Sequence, residues 1–233
     1  MGIITRTKSF SPNILVFLKD IVEDFLFMKS ELATQIEKYQ PQNWLVFFSP
    51  LEKNDVLSFF SYEDPEVRES IREIKYGRNR KILSSLTKFS AEHLASYIEE
   101  NIWSFPSDER KEKKIIFIPI PSHKNRLNEK GFNQADDIAK ELSKNFPFGS
   151  EVQKNILKKT KDTLHQTDLQ RKERLNNLKN AFESKIPKEF LRSFFILIDD
   201  VSTTGSTFSE ARKTLKRNGA DHVICFSLAR SGD

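Results

Sequence analysis

Apolar residues form two patterns along this chain, continuous runs and runs with helical spacing. Residues 115–120 and 194–198 are apolar without polar alternation, and residues 222–228 form a third, largely apolar run. Such runs are typical of strands that are covered on both faces, as in a parallel sheet flanked by helices. We therefore predict central strands at these three positions and a further strand at residues 151–157.

Helical spacing of apolar residues predicts helices at 11–39, 65–75, 82–102, after residue 134, and at 206–218. Strand, helix and strand in this order form a right-handed crossover, so the sheet should be mainly parallel. The predicted fold class is therefore α/β, a mainly parallel twisted sheet flanked by helices. An apolar run at residues 44–48 suits a short strand or a hairpin edge. We expect residues 1–60 to be an N-terminal helical extension and residues 61–233 to form the main domain.

The most specific chemistry follows the apolar run at residues 194–198. Asp199 and Asp200 stand at its carboxyl end, where two adjacent carboxylates need a polyhydroxyl, a metal or water to receive them. A turn of small and hydroxylated residues then opens a helix, and it consists of Thr203, Thr204, Gly205, Ser206 and Thr207. Unpaired amides at a helix start favour a phosphate. The pattern predicts a ribose 5-phosphate ligand, whereas a plain strand-to-helix turn capped by the acids would explain fewer of these features.

Three other polar segments leave alternatives open. Residues 121–126 follow a predicted strand and suit a second anionic group, but an ordinary basic surface loop fits them equally well. Residues 158–182 are dense in charge between two predicted strands, which is typical of a lid or, alternatively, of a surface hairpin or helix. A third segment could face a phosphate or simply be solvated, and its cations are Lys75, Arg78 and Arg80.

Composition narrows the class of protein without naming a reaction. The chain has 233 residues, of which 37% are hydrophobic and 30% charged, and its formal charge of +5 is compatible with an anionic ligand or nucleic acid. Cys225 is the only cysteine, which excludes an intrachain disulfide and a cysteine-built zinc site. Charges interrupt the early apolar stretch at residues 14–28, and nothing resembles a signal peptide, so we expect a cytoplasmic protein without a membrane span.

The stretch at residues 195–205 resembles the phosphoribosyl-pyrophosphate (PRPP) motif of type I phosphoribosyltransferases, in which four apolar residues precede two aspartates, two further residues and Thr-Thr-Gly. It departs from that motif mainly at Ser202, where an apolar residue is common. Together with residues 118–135 and 163–182, this motif resembles the ComF-type competence proteins, which are in turn similar to the transferase half of glutamine amidophosphoribosyltransferase. Residues 62–82 are also similar to that family, so the resemblance covers residues 62–233.

The resemblance implies a role for each matching residue. Asp199 and Asp200 would hold the ribose hydroxyls, directly or through Mg²⁺. The 5′-phosphate would be bound by Val201, Ser202, Thr203, Thr204, Gly205, Ser206 and Thr207. The pyrophosphate loop would consist of Pro121, Ser122, His123 and Lys124. Departing pyrophosphate would be neutralised by Arg171 and Lys159, with the mobile catalytic loop at residues 163–180. Other family positions are Arg126, Gly131, Phe132, Asn133, Gln134, Gln166 and Asn177.

Two functions follow from this resemblance. The first is transfer of phosphoribose, in which a nitrogen nucleophile displaces Mg²⁺-bound pyrophosphate from C1 of PRPP through an oxocarbenium-like state. The alternative is a non-catalytic protein that binds PRPP or a nucleotide phosphate and acts in DNA uptake, because a fold alone does not secure activity. A DNA-binding scaffold with basic patches is a third hypothesis, and a homodimer is left open. Many ComF-type proteins carry a cysteine-rich, zinc-ribbon-like module, which the single cysteine of this chain cannot build.

Overall fold

The structure is a computed structural model that describes residues 30–101, 113–122, 132–161 and 180–232. In these ranges the α-helices are α1 (Glu31–Ile36), α2 (Pro65–Arg72), α3 (Arg80–Asn101), α4 (Gln134–Asn145) and α5 (Ser206–Arg217). The strands are β1 (Phe48–Lys53), β2 (Val56–Ser61), β3 (Ile115–Pro119), β4 (Glu151–Val152), β5 (Leu157–Lys159), β6 (Phe182–Ser184), β7 (Phe194–Ser202) and β8 (His222–Arg230). Short 3₁₀-helices lie at Pro41–Phe47 and Lys188–Phe190, and a π-helix at Glu73–Gly77 continues α2.

Within the described ranges, six strands form the central sheet in the order β1-β2-β8-β7-β3-β4. The pairs β2–β8, β8–β7, β7–β3 and β3–β4 are parallel, and only the hairpin partner β1 runs antiparallel to its neighbour. The predicted α/β class with a mainly parallel sheet is therefore confirmed. In the register, Leu197 of β7 lies opposite Ile118 of β3 and Cys225 of β8.

Helices cover both faces of this sheet, which explains why its central strands are apolar without alternation. Along β7, Phe194, Ile196 and Ile198 belong to one core cluster together with residues of α2, α3 and α4. The intervening Phe195 and Leu197 belong to a second cluster together with residues of α5. Successive strand residues point to opposite faces, so both faces of β7 are buried.

The run at residues 44–48, predicted as a strand or hairpin edge, is instead mostly 3₁₀-helix. Pro41 occupies the start of this helix, and Trp44 is buried with its Nε1–H donating to Ser85 Oγ at 2.9 Å. Val46 is 82% exposed, so the apolar run is not a core strand. The apolar composition was misleading because Trp44 is the one fully buried residue of the run, while Phe47 and Phe48 are half-buried against the core.

The β1–β2 hairpin was not predicted from the sequence. Its turn residues Asn54 and Asp55 both have positive φ, 55° and 60°, as in the two-residue type I′ turns that match the twist of paired strands. Of the predicted N-terminal extension, residues 31–36 are helical, whereas residues 48–61 belong to the central sheet. The sheet thus includes residues on both sides of the boundary expected at residue 60.

Other boundaries also differ from the expectation. The strand predicted at residues 151–157 is split, because β4 joins the central sheet and β5 pairs with β6 in a separate two-stranded sheet. Most of the helix predicted at residues 11–39 lies outside the described residues. Among the described helices, none combines the length and hydrophobicity needed to cross a bilayer.

Candidate ligand-binding site

The two aspartates lie on β7 beyond the point where β3 ends. The pairing of β7 with β3 stops at Ile198, whereas its pairing with β8 continues to Ser202. The strand therefore does not end at residue 198 as the apolar run suggested, because β8 extends alongside it. Asp199 and Asp200 are half-buried at this step in the sheet. This is the carboxyl edge, where ligands bind in open parallel sheets.

The acid pair is held by hydrogen bonds along its own strand. The amide of Asp200 donates to Asp199 Oδ1 at 2.9 Å, and the amide of Val201 donates to Asp200 Oδ1 at 2.7 Å. Burial and then the charge of Asp200 raise the pKa of Asp199 well above its usual range, and the amide of Asp200 and the charge of Lys75 oppose this rise. A cation or hydroxyl groups from a ligand would relieve the repulsion between these carboxylates.

The hydroxylated turn connects β7 directly to the start of α5. Gly205 precedes the helix with φ 72° and ψ 3°, a left-handed conformation that glycine adopts without steric cost. Gly205 has no side chain with which to cap the helix. The Thr204 hydroxyl accepts from the amide of Ser206 at 3.4 Å and donates to Ser206 Oγ at 2.9 Å. The positive end of the α5 dipole thus lies at the hydroxylated turn, and such a helix start attracts an anion.

Val201 and Ser202 are strand residues rather than members of this turn. Val201 packs against the first core cluster, and Ser202 is 3% exposed. Within the described residues, Ser202 Oγ has no hydrogen-bond partner. The structure therefore brings together the acid pair and Thr203–Thr207 as a candidate surface, while the side chain of Ser202 lies in the interior.

Lys75 is a neighbour of the acid pair that the set of expected site residues lacked. It lies in the π-helix, is half-buried, and its charge acts on Asp199. Single-turn π-helices are frequent at functional sites. The basic cluster at Lys75 was visible in the sequence, but only the fold distinguishes this lysine from Arg78 and Arg80, which are exposed.

The segment after β3 is connected to the π-helix through Asn133 and Gln134, two of the positions that match the family. Asn133 receives a hydrogen bond from Ser122 Oγ at 3.2 Å and donates to the Ile120 carbonyl at 3.0 Å. Gln134 Nε2 donates to the Lys75 carbonyl at 3.5 Å. These contacts close the base of the predicted pyrophosphate loop and link it to the lysine beside the acids.

Of the other predicted site residues, some lie in the described ranges and some do not. Pro121 and Ser122 are half-buried at the end of β3, and the ring of Phe132 lies 4.1 Å from the Arg78 guanidinium carbon. Lys159 ends β5, with Nζ 5.9 Å from the centroid of the Phe182 ring. The predictions outside the described residues concern His123, Lys124, Arg126, Gly131, Gln166, Arg171 and Asn177.

The acid pair fits a magnesium ion only in part. Among the described residues, no three His, Cys, Asp or Glu side chains converge to hold a metal. Asp199 and Asp200 supply two carboxylates at most, a donor set suited to Mg²⁺ that is held largely by substrate phosphates and water. A metal here would therefore arrive with its phosphorylated ligand.

Comparison with known proteins gives several relatives. The chain is 39% identical over 115 residues to competence protein F of Haemophilus influenzae, a match that covers 49% of each chain. It is 30% identical over 169 residues to DNA utilization protein YhgH of Shigella flexneri, covering 72% of this chain and 68% of the relative. It is 30% identical over 159 residues to competence protein ComFC of Streptococcus pneumoniae, covering 66% and 65%. No protein-family model matches the chain.

Proposed function

Since the chain belongs to the ComF-type family of competence and DNA-utilization proteins, we propose that it binds PRPP or a related ribose 5-phosphate and acts in DNA uptake or utilization. The observation that carries the proposal is the unbroken order of two carboxylates, a hydroxylated turn and a helix start at the carboxyl edge of a parallel sheet. The proposal includes a type I phosphoribosyltransferase-like fold for the domain. The DNA-related part rests on the names of the relatives.

Each part of the site has a distinct task in this proposal. The carboxylates of Asp199 and Asp200 accept hydrogen bonds from the vicinal ribose hydroxyls, which replace the water that they would otherwise need. The amides and hydroxyls at Thr203–Thr207 bind the 5′-phosphate, where the positive end of the α5 dipole favours a dianion. Mg²⁺, when bound with PRPP, would neutralise its pyrophosphate. Lys75 supplies a further positive charge beside the acids.

Calorimetry with PRPP in Mg²⁺ tests the binding step. The double variant Asp199→Asn with Asp200→Asn should abolish detectable binding, and its circular dichroism should remain that of the wild type because both side chains lie at the edge of the sheet. Glu183→Gln is a suitable control, because it removes an exposed carboxylate of β6 and should leave the affinity unchanged. Equal affinity in the double variant and the wild type would refute the site assignment.

Transfer of phosphoribose is the second candidate function, favoured by the positive charge of Lys75, which lowers the pKa of Asp199 and so acts on the acid pair. In that reaction the C1–oxygen bond to pyrophosphate breaks with its electron pair leaving on pyrophosphate, and a bond from nitrogen to C1 forms as the nitrogen loses a proton. A fixed cation near the departing anion would stabilise the separating charge. Pyrophosphate release from PRPP should be measured with a panel of bases and amines. Binding without release would leave the protein as a PRPP-binding component of DNA uptake.

Binding of single-stranded DNA at several salt concentrations tests the DNA-related part. If PRPP and DNA act through one protein state, saturating PRPP should change the DNA affinity of the wild type but not that of the double aspartate variant. Strongly salt-dependent DNA binding that PRPP leaves unchanged would instead favour a scaffold with basic patches.

A further inference from the structure

The hydroxylated turn Thr203–Thr207, hereafter the phosphate loop, contacts the β1–β2 hairpin. The sequence patterns did not connect this hairpin with the site. Asn54, at the tip of the hairpin, donates from Nδ2 to the carbonyl of Thr204 at 3.1 Å. A Cβ atom on Gly205 would lie 3.3 Å from Asn54 Cβ and 3.3 Å from Val56 Cγ2. The backbone of the loop therefore packs against the Asn54 and Val56 side chains and, at 3.5 Å from the added Cβ, the Asn54 carbonyl, so a residue larger than glycine would displace the hairpin.

Arg230, the last residue of β8, makes a second connection between the same two segments. Its side chain is buried, with 7% of the residue exposed, and Nη2 donates to the Thr203 carbonyl at 3.0 Å. Nη1 donates to the Lys53 carbonyl in the hairpin at 3.3 Å. One planar guanidinium thus joins the loop to the hairpin, a geometry that the single ammonium group of lysine cannot reproduce.

The hairpin tip is in turn attached to the helix that the loop opens. Asp55 forms an ion pair with Arg212 of α5, with 3.0 Å between Oδ2 and Nη1. The Asp55 side chain is 77% exposed, so this pair adds little free energy by itself. It nevertheless connects the hairpin tip to α5, so that β8, the hairpin tip and α5 all lie along one side of the loop.

These contacts determine where the loop amides point. In a trans peptide the carbonyl and the following N–H point in opposite directions, and the described residues contain no cis peptide. Because the Thr203 carbonyl faces Arg230, the N–H of Thr204 points away from that side chain. Because the Thr204 carbonyl faces Asn54, the N–H of Gly205 points away from the hairpin.

We propose that Arg230 and Asn54 are positioning residues for phosphate binding, which hold the carbonyls of Thr203 and Thr204 so that the amides of Thr204 and Gly205 face the ligand. This inference rests on the proposed binding of a ribose 5-phosphate. It assigns the hairpin a role in ligand affinity in addition to its place in the sheet. It also separates two tasks, since Arg230 orients the amide of Thr204 and Asn54 that of Gly205.

Titration of ribose 5-phosphate into ¹⁵N-labelled protein tests the inference amide by amide. In the wild type, the amide protons of Thr204 and Gly205 should both shift downfield on binding. Asn54→Gly tolerates the positive φ of the turn but removes the donor, so it should weaken binding about fivefold to tenfold and reduce the shift of Gly205 selectively. Arg230→Met should reduce the shift of Thr204, and Arg230→Lys should restore it in part.

Asn218→Gly is the matched control. Asn218 is exposed at the opposite end of α5, and its Nδ2 also donates to a backbone carbonyl, that of Thr214 at 2.9 Å. This variant should bind ribose 5-phosphate like the wild type. Arg230→Met changes a buried side chain and could fail to fold. In that case Asn54→Gly still tests the positioning role, since Asn54 is exposed and its replacement should leave the fold intact.

The outcomes distinguish this inference from the proposed function. If the wild type binds and Asn54→Gly binds equally well with unchanged amide shifts, the positioning role is wrong while the site stands. An affinity loss that reduces all loop amide shifts equally indicates a merely structural role and also overturns the inference. A wild type that binds neither ribose 5-phosphate nor PRPP overturns both proposals.

Discussion

Asp199 shows how a binding group can lower the stability of the protein that carries it. Its carboxylate lies next to that of Asp200. Among the described residues, the amide of Asp200 and the charge of Lys75 favour the ionised form. Burial and the neighbouring charge therefore favour the protonated form. A polar ligand would remove this penalty, so the same side chain that weakens the free protein should strengthen the complex.

Replacing Asp199 with asparagine should stabilise the ligand-free protein in a pH-dependent manner. The pKa of Asp199 is higher in the folded than in the unfolded state, so the folded state binds the proton more tightly and stability is lost as pH rises through the interval between the two values. Asparagine never ionises, and its Oδ1 can still accept the amide of Asp200. Urea unfolding without ligand or metal should show a higher midpoint than the wild type at pH 8, with a difference that narrows towards pH 4.

Glu183→Gln controls for the general removal of a negative charge, because Glu183 is exposed on β6. Its unfolding midpoint should follow the wild type at both pH values. If Asp199→Asn lowers the unfolding midpoint at pH 8, or raises it equally at both pH values, then the raised pKa of Asp199 is not the source of the effect.

At the scale of elements, the sequence predicted those strands and helices whose formation depends on residues close together along the chain. The runs at β3, β7 and β8 and the helical spacing of α2, α3, α4 and α5 were informative because both faces of the sheet are covered. The hairpin was missed because Asn54-Asp55 is a weaker turn signal than Asn-Gly, and because β1 is mostly exposed and lacks apolar alternation. The contacts of the phosphate loop with Asn54 and Arg230 span 150 and 27 residues, so local patterns could not indicate them.

Two glycines with the same positive φ allow the cost of that φ to be separated from the cost of a steric contact. Gly205 and Gly149 both have φ 72°, but a Cβ on Gly205 would meet the hairpin at 3.3 Å, whereas nothing lies within 4 Å of a Cβ on Gly149. Gly149→Ala should lower the free energy of unfolding by about 1–2 kcal/mol, the cost of a left-handed residue. Gly205→Ala should cost about 1 kcal/mol or more beyond that, because the hairpin must move.

Urea unfolding of the two alanine variants measures this difference, and calorimetry with PRPP measures its effect on the site. Gly205→Ala should also weaken ligand binding, whereas Gly149→Ala, located between α4 and β4, should not. If both substitutions lower the free energy of unfolding equally, the hairpin can move without measurable cost and does not support the loop.

At the scale of the whole molecule, the family resemblance identified the carboxyl edge of the sheet, and the structure brings the acid pair, the hydroxylated turn and Lys75 to that edge. The sequence did not show which hydroxyl groups are buried. Its pattern groups Ser202 with the hydroxyls of the phosphate turn, yet Ser202 is buried on β7 opposite Arg230 of β8. Whether a hydroxyl faces ligand or core depends on where a strand ends, and that is determined by the neighbouring strand.

The single cysteine offers a direct measure of the cooperativity of this sheet. Cys225 is 2% exposed on β8, opposite Leu197 of β7, and burial raises the pKa of its thiol to about 12. Because the thiolate is the reactive form, a thiol reagent at pH 8 should label the native protein only after strands β7 and β8 separate. The free energy of opening obtained from the labelling rate should therefore equal that of global unfolding in urea.

Ligand binding should slow this labelling, because PRPP stabilises only the folded state. At a PRPP concentration one hundred times its Kd, with Mg²⁺ present, the rate should fall about a hundredfold. The double variant Asp199→Asn with Asp200→Asn should be labelled at the same rate with and without PRPP. Labelling of the native wild type at the rate of an unfolded peptide would mean that the centre of the sheet opens locally. The edge that carries the candidate site would then not be held by a cooperative core.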